Sequence, residues 1–116
     1  MPRAFLIHWN KAEALEKVKP LRAAGWTVIY EYGSGEIAFK TIKAKPPDVV
    51  IIYLSRLPSH GSRMGEVLKQ SKATRAIPIL FVDGEIEKIA KVKSNVPDGI
   101  FIRSADLKKT LKQFVK

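Results

Sequence analysis

Short apolar runs of strand length alternate with longer amphipathic stretches along this chain. Five runs of aliphatic, β-branched and aromatic residues predict β-strands at 5–7, 26–32, 49–54, 77–82 and 100–102. The third run reads Val-Val-Ile-Ile-Tyr-Leu and has no polar alternation, which is typical of a parallel strand with both faces buried. Pro78 fits the fourth strand only near its start, because proline cannot donate a ladder hydrogen bond.

The first intervening stretch predicts a helix with recognisable ends. Asn10 offers an N-cap, and Glu13, three residues further on, can reach back as in a capping box. Pro20 is expected to kink or break this helix, because it removes a backbone donor and crowds the preceding turn. Gly25 supplies the C-terminal stop.

Apolar residues at helical spacing mark the predicted buried faces of the later helices. A second helix, roughly 36–44, is predicted to bury Ile37, Ala38 and Ile42. The faces of the last three helices are predicted to consist of Met64, Val67 and Leu68, of Ile86, Ile89, Ala90 and Val92, and of Leu107, Leu111, Phe114 and Val115.

Strand and helix therefore alternate five times. Such an order predicts an α/β protein, a (βα)5 doubly wound three-layer sandwich around a five-stranded parallel sheet. Five units are too few for a (β/α)8 barrel. No boundary or linker divides the chain, so residues 1–116 are expected to form a single domain.

Composition narrows the possible classes of protein further. The 116 residues carry 21 Lys+Arg against 11 Asp+Glu, a formal charge of +10, and contain no cysteine. The lack of cysteine excludes disulfides, a thiol nucleophile and thiolate metal sites. The longest apolar run is far below the about 20 residues that span a bilayer, and the N-terminal run is too short for a secretory signal. We expect a cytoplasmic protein without a membrane partner.

The region around the third strand resembles the receiver domain of two-component response regulators. Pro47-Asp48 precedes the apolar strand, Pro58 follows it, and Gly61 lies eight residues after Tyr53, as a glycine does after the phosphoacceptor in receivers. Further similar segments begin at Gly35-Glu36, at Ile77-Pro78 and at Asp98-Gly99. The resemblance covers essentially the whole chain and implies the flavodoxin-like strand order 2-1-3-4-5.

Receiver chemistry needs carboxylates that this chain replaces. In that family an acidic pair after the first strand holds Mg²⁺, an aspartate ending the third strand accepts the phosphoryl group, and a lysine follows the fifth strand. The positions that correspond to the receiver pocket and to its aromatic switch are occupied here by His8, Trp9, Asn10, Tyr53, Asp83, Arg103 and Ile100. The resemblance thus implies a degenerate phosphorylation pocket, a pseudo-receiver with no catalytic residue, no bound metal and no cofactor.

Several of these residues admit two interpretations. The Tyr53 ring can fill the space of a lost phosphate site, or its hydroxyl can contact a ligand. Asp83 and Arg103 can form an ion pair across neighbouring strand ends, or remain separately solvated. Trp9 can pack as a lid over the strand ends or serve as a stacking platform. Gly33-Ser34-Gly35 lacks the phosphate-loop pattern and is interpreted as a plain turn.

The favoured functional hypothesis is a phosphorylation-independent protein-interaction module of a signalling pathway, not an enzyme. The receiver resemblance implies an interaction face on the fourth helix, fifth strand and fifth helix. Its candidate residues here are Ile86, Lys88, Lys91, Ile100 and Lys109. The expected partner is a signalling protein of a phosphorelay, or a second copy of the chain.

Two alternatives remain. The charge of +10 fits a module that binds nucleic acid or another polyanion, although lysines spread over most helices also fit solvated outer faces. The second alternative is an enzyme or ligand sensor, because doubly wound sheets bind ligands in the crevice at the strand ends. His8, Trp9, Tyr53 and Arg103 would line that crevice.

Overall fold

The computed structural model describes residues 2–115, which alternate strand and helix five times. The strands are β1 (Arg3–Ile7), β2 (Thr27–Glu31), β3 (Val49–Tyr53), β4 (Ile79–Val82) and β5 (Ile100–Ile102). The helices are α1 (Lys11–Ala23), α2 (Gly35–Ala44), α3 (Pro58–Gln70), α4 (Ile86–Asn95) and α5 (Leu107–Leu111). The 3-10 turns Ser104–Asp106 and Lys112–Phe114 flank α5.

The five strands form one parallel sheet in the order β2-β1-β3-β4-β5, which confirms the predicted fold class. All five residues of the central strand β3 are buried, as its unbroken apolar run predicts. Because each helix returns the chain antiparallel to the strands, all helices begin at one edge of the sheet and end at the other. We call these the carboxyl edge, where the strands end, and the amino edge, where they begin.

Two hydrophobic cores cover the two faces of the sheet. One core packs α1 and α5 against alternate strand residues that include Leu6, Ile51 and Tyr53. The other packs α2, α3 and α4 against residues that include Ile7 and Ile52. The alternation of neighbouring strand residues between the two cores follows from the two-residue period of a strand. No helix among residues 2–115 is long and apolar enough to cross a bilayer.

The structure corrects several local predictions. Helix α1 continues through Pro20 to Ala23, so the predicted break is wrong: the proline lies in the last turn, where its carbonyl accepts from the Ala24 N–H. Strand β4 starts after Pro78 and not at Ile77. The last helix is shorter than predicted, because 3-10 turns replace its two ends.

Some side chains that were predicted to lie in the core are exposed. Ile37 on α2 is 56% exposed, and Val67, Ile86 and Val115 are also classed among the exposed large apolar residues. Ile37, Val67 and Ile86 lie at the margins of their helical faces, where a periodic pattern extends further than the contact with the sheet. Val115 lies beyond the last 3-10 turn, and Ala90 on α4, also predicted to be buried, is exposed as well. The centres of the faces, such as Ile42 and Leu68, are buried as predicted.

Candidate functional site

The carboxyl edge of the sheet brings the predicted pocket positions to neighbouring strand ends. His8 follows β1, Tyr53 ends β3, Asp83 follows β4 and Arg103 follows β5. Backbone hydrogen bonds extend the ladder into this edge: the Leu54 N–H donates to the Val82 carbonyl at 2.9 Å, and the Asp83 N–H donates to Ile102 at 3.0 Å. The strand ends are therefore held in register where the side chains meet.

His8 and Tyr53 form a buried aromatic stack at the centre of this edge. Their ring centroids are 4.9 Å apart, with 13° between the planes, and each residue is only 1% exposed. The Lys17 ammonium lies 5.7 Å from the centroid of the Tyr53 ring, which adds a cation–π contact from α1. The stack fills the space between the ends of β1 and β3 with rings.

The imidazole in this stack is poor in polar contacts. Its Nδ1 is buried with no hydrogen-bond partner among residues 2–115. Its Nε2 lies 3.8 Å from a carboxylate oxygen of Glu13, too far for a hydrogen bond. Burial lowers the pKa of His8 below its ordinary value, and the Glu13 carboxylate opposes this shift. The ring is therefore neutral at pH 7.

The Tyr53 phenol is held in its protonated form. Burial raises its pKa well above the usual value of a tyrosine, and the nearby Asp83 carboxylate adds to the shift. No side-chain hydrogen bond reaches the hydroxyl within residues 2–115. The phenol borders a cavity of about 300 Å³, whose cationic lining residues are Lys17 and Lys108.

Asp83 and Arg103 lie at adjacent strand ends but do not form the ion pair considered above. The Asp83 carboxylate accepts hydrogen bonds from the Ser104 N–H, at 2.9 Å, and from the Ser104 hydroxyl. The Arg103 guanidinium donates to the Gly84 carbonyl at 2.8 Å. Asp83 and Gly84 both have positive φ, of 60° and 104°, so a left-handed turn presents the carboxylate and the carbonyl to the β5 side. These contacts tie the loop after β4 to the loop after β5.

An ion pair that sequence reasoning missed joins two other loops. Arg56, which follows β3, donates to both carboxylate oxygens of Glu13 at 2.9 and 3.2 Å. This pairing lowers the pKa of Glu13. The predicted capping box is therefore only half formed: Asn10 accepts from the Glu13 N–H at 3.0 Å, while the Glu13 side chain turns to Arg56. The signal for this pair in the sequence is the opposite charge of Glu13 and Arg56, which follow β1 and β3.

The donor atoms at this edge do not fit a Mg²⁺ ion. Among residues 2–115 no group of three His, Asp or Glu side chains is placed to hold a metal. The Asn10 oxygen is used as a helix cap, and the Asp83 carboxylate is used by Ser104. A hard divalent cation prefers several carboxylate or carbonyl oxygens, and here the centre of the edge consists of two rings.

Trp9 lies on the other side of the sheet from the stack. Its ring packs edge-on against His60, with centroids 5.5 Å apart, and it lines a groove of about 470 Å³ between α2 and α3. Trp9 and Tyr53 line different cavities, so the structure does not bring the four residues of the ligand-sensor hypothesis into one crevice. Gly33 and Ser34 form the bend before α2, in which Glu31 accepts from both of their N–H groups, and Gly35 is already the first residue of the helix.

The candidate interaction residues lie on the elements that the sequence predicts. Ile86 opens α4 and is 79% exposed, and Ile100 on the edge strand β5 is 36% exposed. Lys88 and Lys91 on α4 line a groove of about 520 Å³ toward α3, and Lys109 is exposed on α5. The candidate residues thus add both apolar and cationic groups to the exposed surface.

Comparison with solved structures identifies the class of fold. The chain is similar to the receiver domain (CheY-like) of a response regulator from Methylobacillus flagellatus, with 18% identity, a TM-score of 0.82 and 99% of each chain covered. It is also similar to the N-terminal domain of a response regulator receiver protein from Methanoculleus marisnigri JR1, with 23% identity, a TM-score of 0.67 and coverage of 96% of this chain and 94% of that one. A response regulator from Desulfuromonas acetoxidans gives 17% identity, a TM-score of 0.76 and coverage of 99% and 100%.

The chain therefore has the flavodoxin-like receiver fold, and its structural neighbours are response-regulator receiver domains. No protein-family model and no curated protein matches the sequence.

Proposed function

We propose that this chain is a pseudo-receiver, a signalling domain that works through protein contact and is not phosphorylated on an aspartate. The observation that carries the proposal is the His8–Tyr53 stack at the place where the resemblance puts the metal ligands and the phosphoacceptor. Phosphoryl transfer needs a nucleophile and a cluster of cations or metal ligands in fixed positions. A buried neutral phenol beside a buried neutral imidazole provides neither.

The contacts around the stack also support a single conformation. Receivers use a hydroxyl and a lysine at the positions of Asp83 and Arg103 to respond to phosphate. Here Asp83 is bonded to Ser104 and Arg103 to Gly84, so both side chains already have partners without any phosphate. A shift between two states would then have to come from a partner that binds one of them more tightly.

The contact surface proposed for that partner is the side formed by α4, β5 and α5. Ile86 is the most exposed of the large apolar side chains within residues 2–115, and Lys88, Lys91 and Lys109 add exposed positive charge on α4 and α5. Exposed apolar side chains among cations suit a partner with apolar side chains and acidic residues. We place this partner in a cytoplasmic phosphorelay, with a second copy of the chain as the other expected binder.

Phosphorylation can be tested directly. The protein is incubated with Mg²⁺ and a small acyl-phosphate donor, and its intact mass is measured. We expect no phosphoryl adduct. The triple variant His8→Asp, Trp9→Asp, Tyr53→Asp, which places carboxylates at the phosphoacceptor position and at two of the three positions after β1, is the matched positive control provided that circular dichroism shows it to be folded. An acid-labile phosphoryl group on the unmodified chain would overturn the proposal.

Partner contact is tested with two isoleucines. Ile86→Asp places a charge on the proposed contact surface, and Ile37→Asp places one on α2, where Ile37 is 56% exposed. Proteins captured from the source cells by the unmodified chain are identified and titrated against both variants. We expect Ile86→Asp to weaken binding of the captured signalling protein at least tenfold and Ile37→Asp to leave it unchanged. Equal binding by all three chains would refute the assignment of this surface.

A further inference from the structure

The charged side chains are distributed unevenly between the two edges of the sheet. At the carboxyl edge, the ends of the strands, the loops after them and the first helical turns carry seven carboxylates and six cations. The carboxylates are Glu13, Glu31, Glu36, Asp83, Glu85, Glu87 and Asp106, and the cations are Lys11, Arg56, Lys88, Arg103, Lys108 and Lys109. Both ion pairs between charged side chains found within residues 2–115, Arg56–Glu13 and Lys40–Glu36, use a carboxylate of this edge.

The amino edge carries a large excess of cations on the side covered by α2, α3 and α4. The last turns of these helices, the loops into the next strands and the start of β1 carry seven cations. We call these residues the basic edge: Arg3, Lys43, Lys45, Lys69, Lys72, Arg75 and Lys93. The same segments contain two carboxylates, Asp48 and Asp98, and the Asp48 carboxylate accepts from the Arg3 backbone N–H at 2.8 Å. No cation of the basic edge is ion-paired within residues 2–115.

Helix electrostatics explains only part of this set. Cations favour the last turn of a helix because the carbonyl end of the macrodipole is negative. That reason applies to Lys43, Lys69 and Lys93, which lie in the last turns of α2, α3 and α4. The other four cations lie outside the helices, on β1, at the C-cap of α2 and in the turn after α3, so they need another explanation.

The backbone that carries these cations is held firmly. In the turn after α3, the Thr74 hydroxyl donates to the Leu68 carbonyl at 2.6 Å, and the Arg75 N–H donates to Ser71 at 2.8 Å. The Lys69 ammonium donates to the carbonyls of Arg75 and Ile77. A fixed turn loses less conformational freedom when its side chains bind a ligand.

Arg3 ties the α2 end of the basic edge in a similar way. Its guanidinium donates to the Lys45 carbonyl at 2.8 Å, so β1 and the loop after α2 are joined. With Arg3 and Lys69 occupied by backbone carbonyls, five exposed cations of the basic edge make no side-chain hydrogen bond or ion pair within residues 2–115: Lys43, Lys45, Lys72, Arg75 and Lys93. The Lys93 ammonium does lie 5.4 Å from the centroid of the Phe101 ring.

We propose that the basic edge is a binding surface for the phosphate backbone of duplex nucleic acid. The molecule measures 32 × 30 × 26 Å, and a duplex presents one negative charge per about 1.7 Å of its axis, so one face can meet several phosphates at once. None of the exposed large apolar residues of the described chain lies in the segments 43–48, 69–78 or 93–99. A surface of cations without apolar anchors favours nucleic acid over insertion into a lipid interface.

The proposal goes beyond the protein-interaction role and locates its surface at the opposite end of the helices. It is tested by fluorescence anisotropy with a labelled duplex DNA at 50 and 200 mM KCl. With about five phosphate contacts, counterion release predicts that affinity falls about 500-fold between these concentrations. The variant Lys45→Gln, Lys72→Gln, Arg75→Gln leaves about two contacts, for which the fall is only about 12-fold.

A matched triple variant separates a defined surface from general positive charge. Lys11→Gln, Lys88→Gln, Lys109→Gln removes the same net charge but leaves the basic edge intact. We expect this control to keep the affinity and salt dependence of the unmodified chain, and to lose affinity for the protein partner if that proposal also holds. Circular dichroism verifies that both variants are folded.

Three results would overturn the proposal. The first is no binding of the duplex at 50 mM KCl. The second is an equal loss in the two triple variants, which would mean attraction by total charge alone. The third is binding to phosphatidylserine vesicles without binding to DNA, which would assign the basic edge to a membrane surface.

Discussion

Tyr53 is the residue whose replacement tests the structural account of the vacated site most directly. Tyr53→Ala removes a ring that is 1% exposed and leaves a cavity at the end of the central strand. Loss of a fully buried aromatic side chain costs about 3–5 kcal/mol of unfolding free energy. Within that total, the stack with His8 accounts for about 0.5–1.5 kcal/mol, and the contact with the Lys17 ammonium for about 0.5–1 kcal/mol.

Tyr53→Phe is the matched variant because it keeps the ring and removes the hydroxyl. A hydrogen bond is worth about 1 kcal/mol net, and none is made by this hydroxyl within residues 2–115. We therefore expect Tyr53→Phe to change the unfolding free energy by less than about 0.5 kcal/mol. A double-mutant cycle of Tyr53→Ala with His8→Ala isolates the stacking energy, which is expected to be about 0.5–1.5 kcal/mol.

Urea denaturation followed by tryptophan fluorescence measures the unfolding free energy of the four chains of this cycle and of Tyr53→Phe. The reasoning is refuted if Tyr53→Phe costs as much as Tyr53→Ala, because the hydroxyl and not the ring would then stabilise the site. A coupling energy of zero between His8 and Tyr53 would likewise show that the two rings do not support each other. Unequal denaturant slopes would make the comparison invalid and call for calorimetry in its place.

Two further predictions concern stability. Burial lowers the pKa of His8 in the folded chain, so the unfolded chain binds a proton that the folded chain does not, and stability should fall as pH drops below about 6.5. The urea midpoints measured at pH 7.5 and at pH 5.5 should become equal in His8→Phe and stay different in the exposed control His60→Asn. Gly65→Ala would place a Cβ 2.7 Å from the Phe81 ring and should cost about 1–3 kcal/mol, whereas Gly33→Ala, with its nearest neighbour at 3.7 Å, should change the melting temperature little.

The main features of the fold follow from features that are local in the sequence. The unbroken apolar run from Val49 predicts a central strand, and Asn10 and Gly25 mark the ends of α1, as the structure shows. The predicted break at Pro20 was wrong. A proline in the last turn leaves only one carbonyl of the preceding turn without its hydrogen bond, and the packing of Leu21 against the sheet keeps the helix continuous.

The site could be predicted only in part. Sequence spacing places His8, Tyr53, Asp83 and Arg103 at one edge, and the structure brings them there. Their partners depend on geometry that spacing does not contain: the positive φ of Asp83 directs its carboxylate to Ser104. The concentration of cations at one edge was also missed, because it becomes visible only when residues are sorted by position along the strands and not along the chain.

The excess of cations at the amino edge gives the charge distribution a direction along the strands. In the field of a highly charged partner such a molecule experiences a torque, so it turns before it makes contact. Arrival with the basic edge first would leave the nearly neutral carboxyl edge, with the loops after β4 and β5, facing outward. The chain could then be bound to nucleic acid at one edge while the other edge stays free to contact a protein partner.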